Sequence, residues 1–157
     1  TVTLDAAGQG VIACQGGNMA GWSLYLDQNS RPSFVYNWFG HELTTLVGEP
    51  LAPGEHQIDV QYAHDGGFAA GGELQLMVDG GRVAEGRIER TVPVIYSMSG
   101  ETFDVGRDTG SPVGKYPHDF AFTGRIHGVT LERLAEPSKE VKQQERKGAF
   151  KAGLSAQ

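Results

Sequence analysis

The chain is 157 residues long, 39% hydrophobic, with a formal net charge of −6. That allows one domain with a buried core and argues against a basic nucleic-acid-binding surface. Cys14 is the single cysteine, which excludes an internal disulfide and a cysteine cluster for metal, and no run approaches the roughly 18 apolar residues of a membrane-crossing helix.

In chain order, Trp22, Leu24 and Leu26 alternate with Ser23, Tyr25 and Asp27, the period of two that puts one apolar set on one face of a strand. Asp27 to Pro32 reads as a turn. Ser33 to Phe39 is apolar or aromatic on both parities, which predicts a central strand covered on two sides or facing a groove, and His41 to Val47 pairs back after Gly40. Ile58, Val60 and Tyr62, then Leu74, Leu76 and Val78, repeat the half-buried pattern. His64-Asp65-Gly66-Gly67 ends a strand in a turn. Asp79-Gly80-Gly81 is a hairpin signal, because tight hairpin turns need the positive φ that glycine accepts. Glu85 to Val94 forms a further strand, which Pro93 ends or holds at an edge. Phe122, Gly124 and Ile126 share a parity that Val129 and Leu131 do not, so a one-residue bulge near His127-Gly128 is expected to return both sets to the core. Glycine makes up 23 of the residues, about twice the ordinary share, with no collagen period. The sum is an all-β sandwich or jelly roll, of the concanavalin A/laminin-G kind, over residues 1–134.

Beyond Glu136-Pro137 the pattern changes. Residues 1–134 carry eight Lys/Arg against sixteen Asp/Glu, and residues 135–157 carry five against three. Ser138 can cap a helix with Glu140 in its first turn, so a weakly anchored C-terminal helix over 138–152 is expected in a charged tail, 135–157.

The blocks GGNMAGWSLYLDQNSRPSFVYNWFG (Gly16 to Gly40), AHDGGFAAGGELQLMVDGGRV (Ala63 to Val83) and TFDVGRDTGSPVGKYPHDFAFTGRIHGVTL (Thr102 to Leu131) resemble, in content and order, the C-terminal domain of long bacterial arylsulfatases. The resemblance covers roughly Gly10 to Leu134. It implies an accessory β-sandwich whose partner is the catalytic sulfatase domain of the same polypeptide, in bacterial cytoplasm or periplasm. The start at Thr1 fits a piece of something longer. One departure is His64 ahead of Asp65-Gly66-Gly67, where the family pattern has an aromatic.

Sulfatase chemistry in that family needs a Cys/Ser-x-Pro-x-Arg motif. Cys14 is followed by Gly16 and Asn18 at the proline and arginine positions, so it is read as a small buried hydrophobe and no activity is expected of this chain alone. Glucan hydrolases of concanavalin type need two carboxylates on one strand, and the nearest look-alike, Gln57 to Gln61, has amides at both ends. No serine stands in a nucleophile elbow beside His64-Asp65, and His41, His56, His118 and His127 show no ligand spacing.

Asp104, Arg107 and Asp108 form the charged cluster with recognisable spacing. Arg107 can fork onto a carboxylate, and the aspartates can accept loop amides or hold calcium. A structural clasp over Gly106 to Pro112 ranks above a docking site. Calcium ranks below both, since it wants about six or more oxygens, and no cofactor is expected. Trp22, Tyr25, Tyr36, Asn37 and Trp38 are the aromatic set. Some of these rings must be core, Trp22 first, and the others can meet a partner domain or stack a sugar. Tyr36, Asn37, Trp38, Asp104, Arg107, Asp108 and Tyr116 are therefore the expected binding or interdomain-contact residues. The rival reading is a stand-alone carbohydrate-binding module of the same fold.

Overall fold

The computed structural model describes residues 1–93, 101 and 103–132. Among these the chain forms eleven strands and no helix: β1 (Val2–Leu4), β2 (Gly10–Gly16), β3 (Gly21–Leu26), β4 (Pro32–Trp38), β5 (Glu42–Val47), β6 (Gly54–His56), β7 (Ile58–His64), β8 (Ala70–Val78), β9 (Gly81–Arg90), β10 (Phe103–Val105) and β11 (Arg125–Ile126). The expected helix over 138–152 lies outside the described residues.

The hairpins follow from local chemistry. Asp79 and Gly80 both have positive φ, 51° and 80°, and connect Val78 to its register partner Gly81, which is the two-residue turn whose twist suits paired strands. The Asp27 side chain organises the β3–β4 turn by accepting from the amides of Asn29 and Arg31 and from Arg31 Nε. After β7, the Asp65 amide bonds Gly71 O, and the Asp65 carboxylate pairs with Arg87 on β9.

Three antiparallel sheets result, ordered β10-β2-β3-β4-β5, β7-β8-β9 and β11-β1-β6. Late strands return to early ones, β10 beside β2 and β11 beside β1, which closes the chain ends on each other as in jelly-roll sandwiches. The inner face of the five-stranded sheet carries Phe34, Tyr36 and Leu46 against Leu74, Leu76 and Ile88 of β8 and β9. Beside this, Ile12 and Leu26 pack on Val2 and Leu4 of β1. Ile58 borders both clusters. The outer face is not solvent-facing either: Val11, Tyr25 and Val35 are buried with Val113 and Phe120 of the long 106–121 connection. Hence β4 is buried from Pro32 to Asn37, the central strand covered on two sides that its sequence implies.

The bulge expected near His127-Gly128 does not form. β11 ends at Ile126, and Val129 and Leu131 are 37% and 66% exposed. The reason is the partner strand. β11 pairs with β1, and the ladder runs out when the His127 amide reaches Thr1 O. Among the described residues no strand pairs with the chain beyond that bond, so the alternation there finds no core. The bulges lie instead between Val11 and Ala13 and between Leu76 and Met77.

Candidate functional site

Strand parity divides the expected contact residues at once. Tyr36 and Trp38 point to the inner face and Asn37 to the outer one. Tyr36 is 4% exposed, and its hydroxyl accepts from the Val92 amide at 2.7 Å. Trp38 is half-buried under the Arg90 guanidinium, 3.8 Å from the ring centroid, and meets the edge of Phe39. Trp22 is half-buried between Phe34 and Phe103. These rings are sandwich packing and do not form an open platform.

On the outer face Asn37 is buried and holds three segments. Its Nδ2 donates to Asn18 O at 3.0 Å, Val113 O at 2.9 Å and, more weakly, Gly17 O at 3.4 Å, and its Oδ1 accepts from the Gly40 amide at 2.7 Å. The connection after β10 has no strand ladder of its own, so its amides need side-chain acceptors. Asp104 Oδ2 accepts from the amide and hydroxyl of Thr109 at 2.7 and 2.6 Å. Asp108 is 1% exposed and accepts from Tyr116 Oη at 2.6 Å, with longer bonds from the amides of Gly110 and Val113. Glu101 Oε1 accepts from the amide and hydroxyl of Ser111 at 2.8 and 2.6 Å. Burial, then the bond to Asp108, pushes the Tyr116 phenol far above its ordinary range.

Asn37, Asp104, Asp108 and Tyr116 thus belong to one clasp that straps residues 103–116 over the sheet. Arg107 stands outside it. It reaches Asp119 at 3.4 Å, with both side chains about half exposed, and engages neither Asp104 nor Asp108.

Cys14 lies beneath the clasp, in register with Asp104 on one side and Ser23 on the other. It is 1% exposed, as a small buried hydrophobe would be. Burial, then the charge of Asp108, pushes its thiol up to about 12, so it is protonated near neutrality and is no nucleophile there. Its Sγ and carboxylate oxygens of Asp104 and Asp108 all lie within 4.8 Å of one another. Reading Cys14 alone could not reveal this, because both neighbours come from a segment about ninety residues further on.

A second feature was not singled out from sequence. An open groove of about 310 Å³ runs beside the clasp, lined by Tyr25, Arg31, Lys115, Tyr116, Pro117 and Phe120 among others. Tyr116 meets Tyr25 at 4.9 Å between centroids and stacks on Phe120 at 5.8 Å, so one tyrosine serves the groove with its ring and the clasp with its hydroxyl. The only sequence signal was the clustering of aromatics in KYPHDFAF, which does not say which face they take.

No family model matches the chain, and no curated protein matches it. Among solved structures it is similar to a native heptameric SAP-like pentraxin from Limulus polyphemus, at 12% identity and a TM-score of 0.47, over 78% of this chain and 56% of that one. The chain thus spans little more than half of that protein's length.

Proposed function

We propose that this chain is a non-catalytic β-sandwich domain of an arylsulfatase-type hydrolase, packing on the catalytic domain of the same polypeptide and shaping the rim of its substrate cleft. The observation that carries the reading is where the resembling blocks meet. YNWFG supplies Asn37, GGNMAGW supplies the Asn18 carbonyl and DVGRDTGSPV supplies Asp104, Asp108 and Val113. Blocks far apart in the chain are tied into one rigid strap, as expected of a surface kept in shape for a neighbouring domain. Such a surface acts by positioning, without proton transfer.

The test is to read the frame upstream of Thr1. A Cys/Ser-x-Pro-x-Arg motif several hundred residues before it is expected. A start codon or leader immediately upstream sinks the reading.

The aromatic groove favours a second reading, a carbohydrate-binding module, since sugars pack on tyrosine faces rimmed by polar groups. Trp22 and Trp38 lie on the other side of the sheet, so calorimetric titration is a better probe than tryptophan emission. Heat of binding to an oligosaccharide that is lost in Tyr116→Ala supports the module, and no heat across neutral and acidic sugars rules it out.

A further inference from the structure

The geometry points to a buried divalent-cation site, suited to zinc, formed by Cys14, Asp104 and Asp108 with Ser23 as its fourth donor. This inference stands apart from the accessory-domain reading and does not need it.

Strand register builds the site. Asp104, Cys14 and Ser23 are successive cross-strand partners on β10, β2 and β3, and partners share a face of an antiparallel sheet. Asp108 comes down on that face from the connection above. The sulfur and the two carboxylates already lie within 4.8 Å of one another. A tetrahedral zinc, with bonds of about 2.0 Å to oxygen and about 2.3 Å to sulfur, would hold its ligand atoms about 3.3–3.5 Å apart, so the three would close by up to about 1.5 Å.

Two independent observations say that something is owed there. The first is charge. Asp108 is 1% exposed, and neither it nor Asp104 has an ion-pair partner among the described residues. Arg107, the base nearest in sequence, is committed to Asp119. A buried carboxylate without a cation is costly, and Tyr116, Gly110 and Val113 offer it neutral hydrogen-bond donors only. The second is Ser23. Its Oγ is fully buried near the Tyr116 hydroxyl, whose phenol it pulls down slightly, yet no hydrogen bond of ordinary geometry reaches it. Buried hydroxyls are nearly always satisfied, and this one faces the cluster.

The surrounding bonds suit a metal's outer shell. Thr109 holds Asp104 through Oδ2, and Oδ1 has no donor among the described residues. Tyr116 orients Asp108 through its Oδ2. Such contacts fix the angle at which first ligands present their oxygens. The donor set selects the ion. Calcium and magnesium take oxygen alone and in greater number, whereas zinc accepts a thiolate with carboxylates. On binding, Cys14 gives its proton to solvent and forms the sulfur–metal bond, with no change of oxidation state.

The full chain, stripped with a chelator, is titrated with Co(II), whose thiolate complexes show a sulfur-to-metal charge-transfer band in the near ultraviolet, and zinc content is measured after dialysis. One metal per chain, the band, and a rise in melting temperature with zinc are expected, with all three lost in Cys14→Ala. Asp104→Asn, at a half-buried position, is expected to weaken uptake at least tenfold while circular dichroism stays native. This second variant keeps the test decisive if Cys14→Ala folds poorly. No uptake by the stripped protein, uptake unchanged in Asp104→Asn, or uptake without the thiolate band overturns the site.

Discussion

Asn37 and Asp108 grip the two ends of one residue: the Val113 amide donates to Asp108 and the Val113 carbonyl accepts from Asn37 at 2.9 Å. Val113 itself is 1% exposed, so the pair pins the 106–121 connection where its apolar side chain enters the outer-face core. Asn37→Ala leaves several buried carbonyls without a donor. A loss of about 2–4 kcal/mol follows from the cost of such groups, read as a lower urea midpoint at unchanged slope. A loss under about 1 kcal/mol would mean that the connection is held by packing instead.

Two glycines separate crowding from conformation. Both have positive φ, 109° at Gly10 and 80° at Gly80. A Cβ on Gly80 meets nothing, whereas one on Gly10 runs into the Ala121 carbonyl and the Phe122 backbone. Gly80→Ala should cost about 1–2 kcal/mol, the strain of a left-handed residue. Gly10→Ala should cost clearly more, because the close approach of β2 to residues 120–122 must open as well. Melting temperatures of the two variants give the order, and equal losses would refute the crowding argument.

The inner core should respond in proportion to burial. Leu76 is fully buried between the sheets and Leu131 is 66% exposed. Leu76→Ala is expected to cost about 2–5 kcal/mol through transfer and cavity terms. Leu131→Ala should stay within about 0.5 kcal/mol. A large loss at Leu131 would show that the chain beyond β11 is packed on the sandwich in solution.

His56 links two strand ends with both ring nitrogens. Nδ1 lies 2.8 Å from Asp79 Oδ2 and Nε2 lies 2.9 Å from Ala52 O, and only the imidazolium can donate to both. The Asp79 bond, opposed by partial burial and helped by Ala52, raises His56 above the ordinary histidine value, and the same bond lowers Asp79. The His56 contribution is complete below the unfolded histidine pKa and fades as pH rises through the folded one. The Asp79 contribution is complete above the unfolded aspartate pKa and fades as pH falls through its lowered folded value. The pair therefore stabilises most in the mildly acidic window between them. Urea midpoints in the wild type should fall from about pH 5.5 to about pH 8, and Asp79→Asn should flatten that change. A pH profile identical in the variant would dismiss the pair.

Much of the fold was legible because its causes are local. Alternation in Ile58–Tyr62 and Leu74–Val78, the double-sided burial of β4 and the Asp79-Gly80 turn each follow from a few neighbouring residues and the geometry of one strand or turn. The misreading at His127-Gly128 has the same origin. Val129 and Leu131 continue an apolar rhythm, but a strand needs backbone to pair with, and the β1–β11 ladder stops at Val2 and Ile126 with no other described strand beside it.

The site divides along the same line. Sequence marked Asn37, Asp104, Asp108 and Tyr116 as residues of interest, and the choice of a loop clasp over a fork by Arg107 followed from the need of loop amides for acceptors. What the sequence determined alone was an acidic, antiparallel, glycine-turned all-β chain without a formylglycine motif. Only tertiary structure decided that Cys14 lies between Asp104 and Ser23, that Tyr116 reaches both Asp108 and the groove, and that Tyr36 and Trp38 turn inward. Those facts depend on which distant strands pair and in what register, and a one-residue slip would send every side chain of a strand to the opposite face.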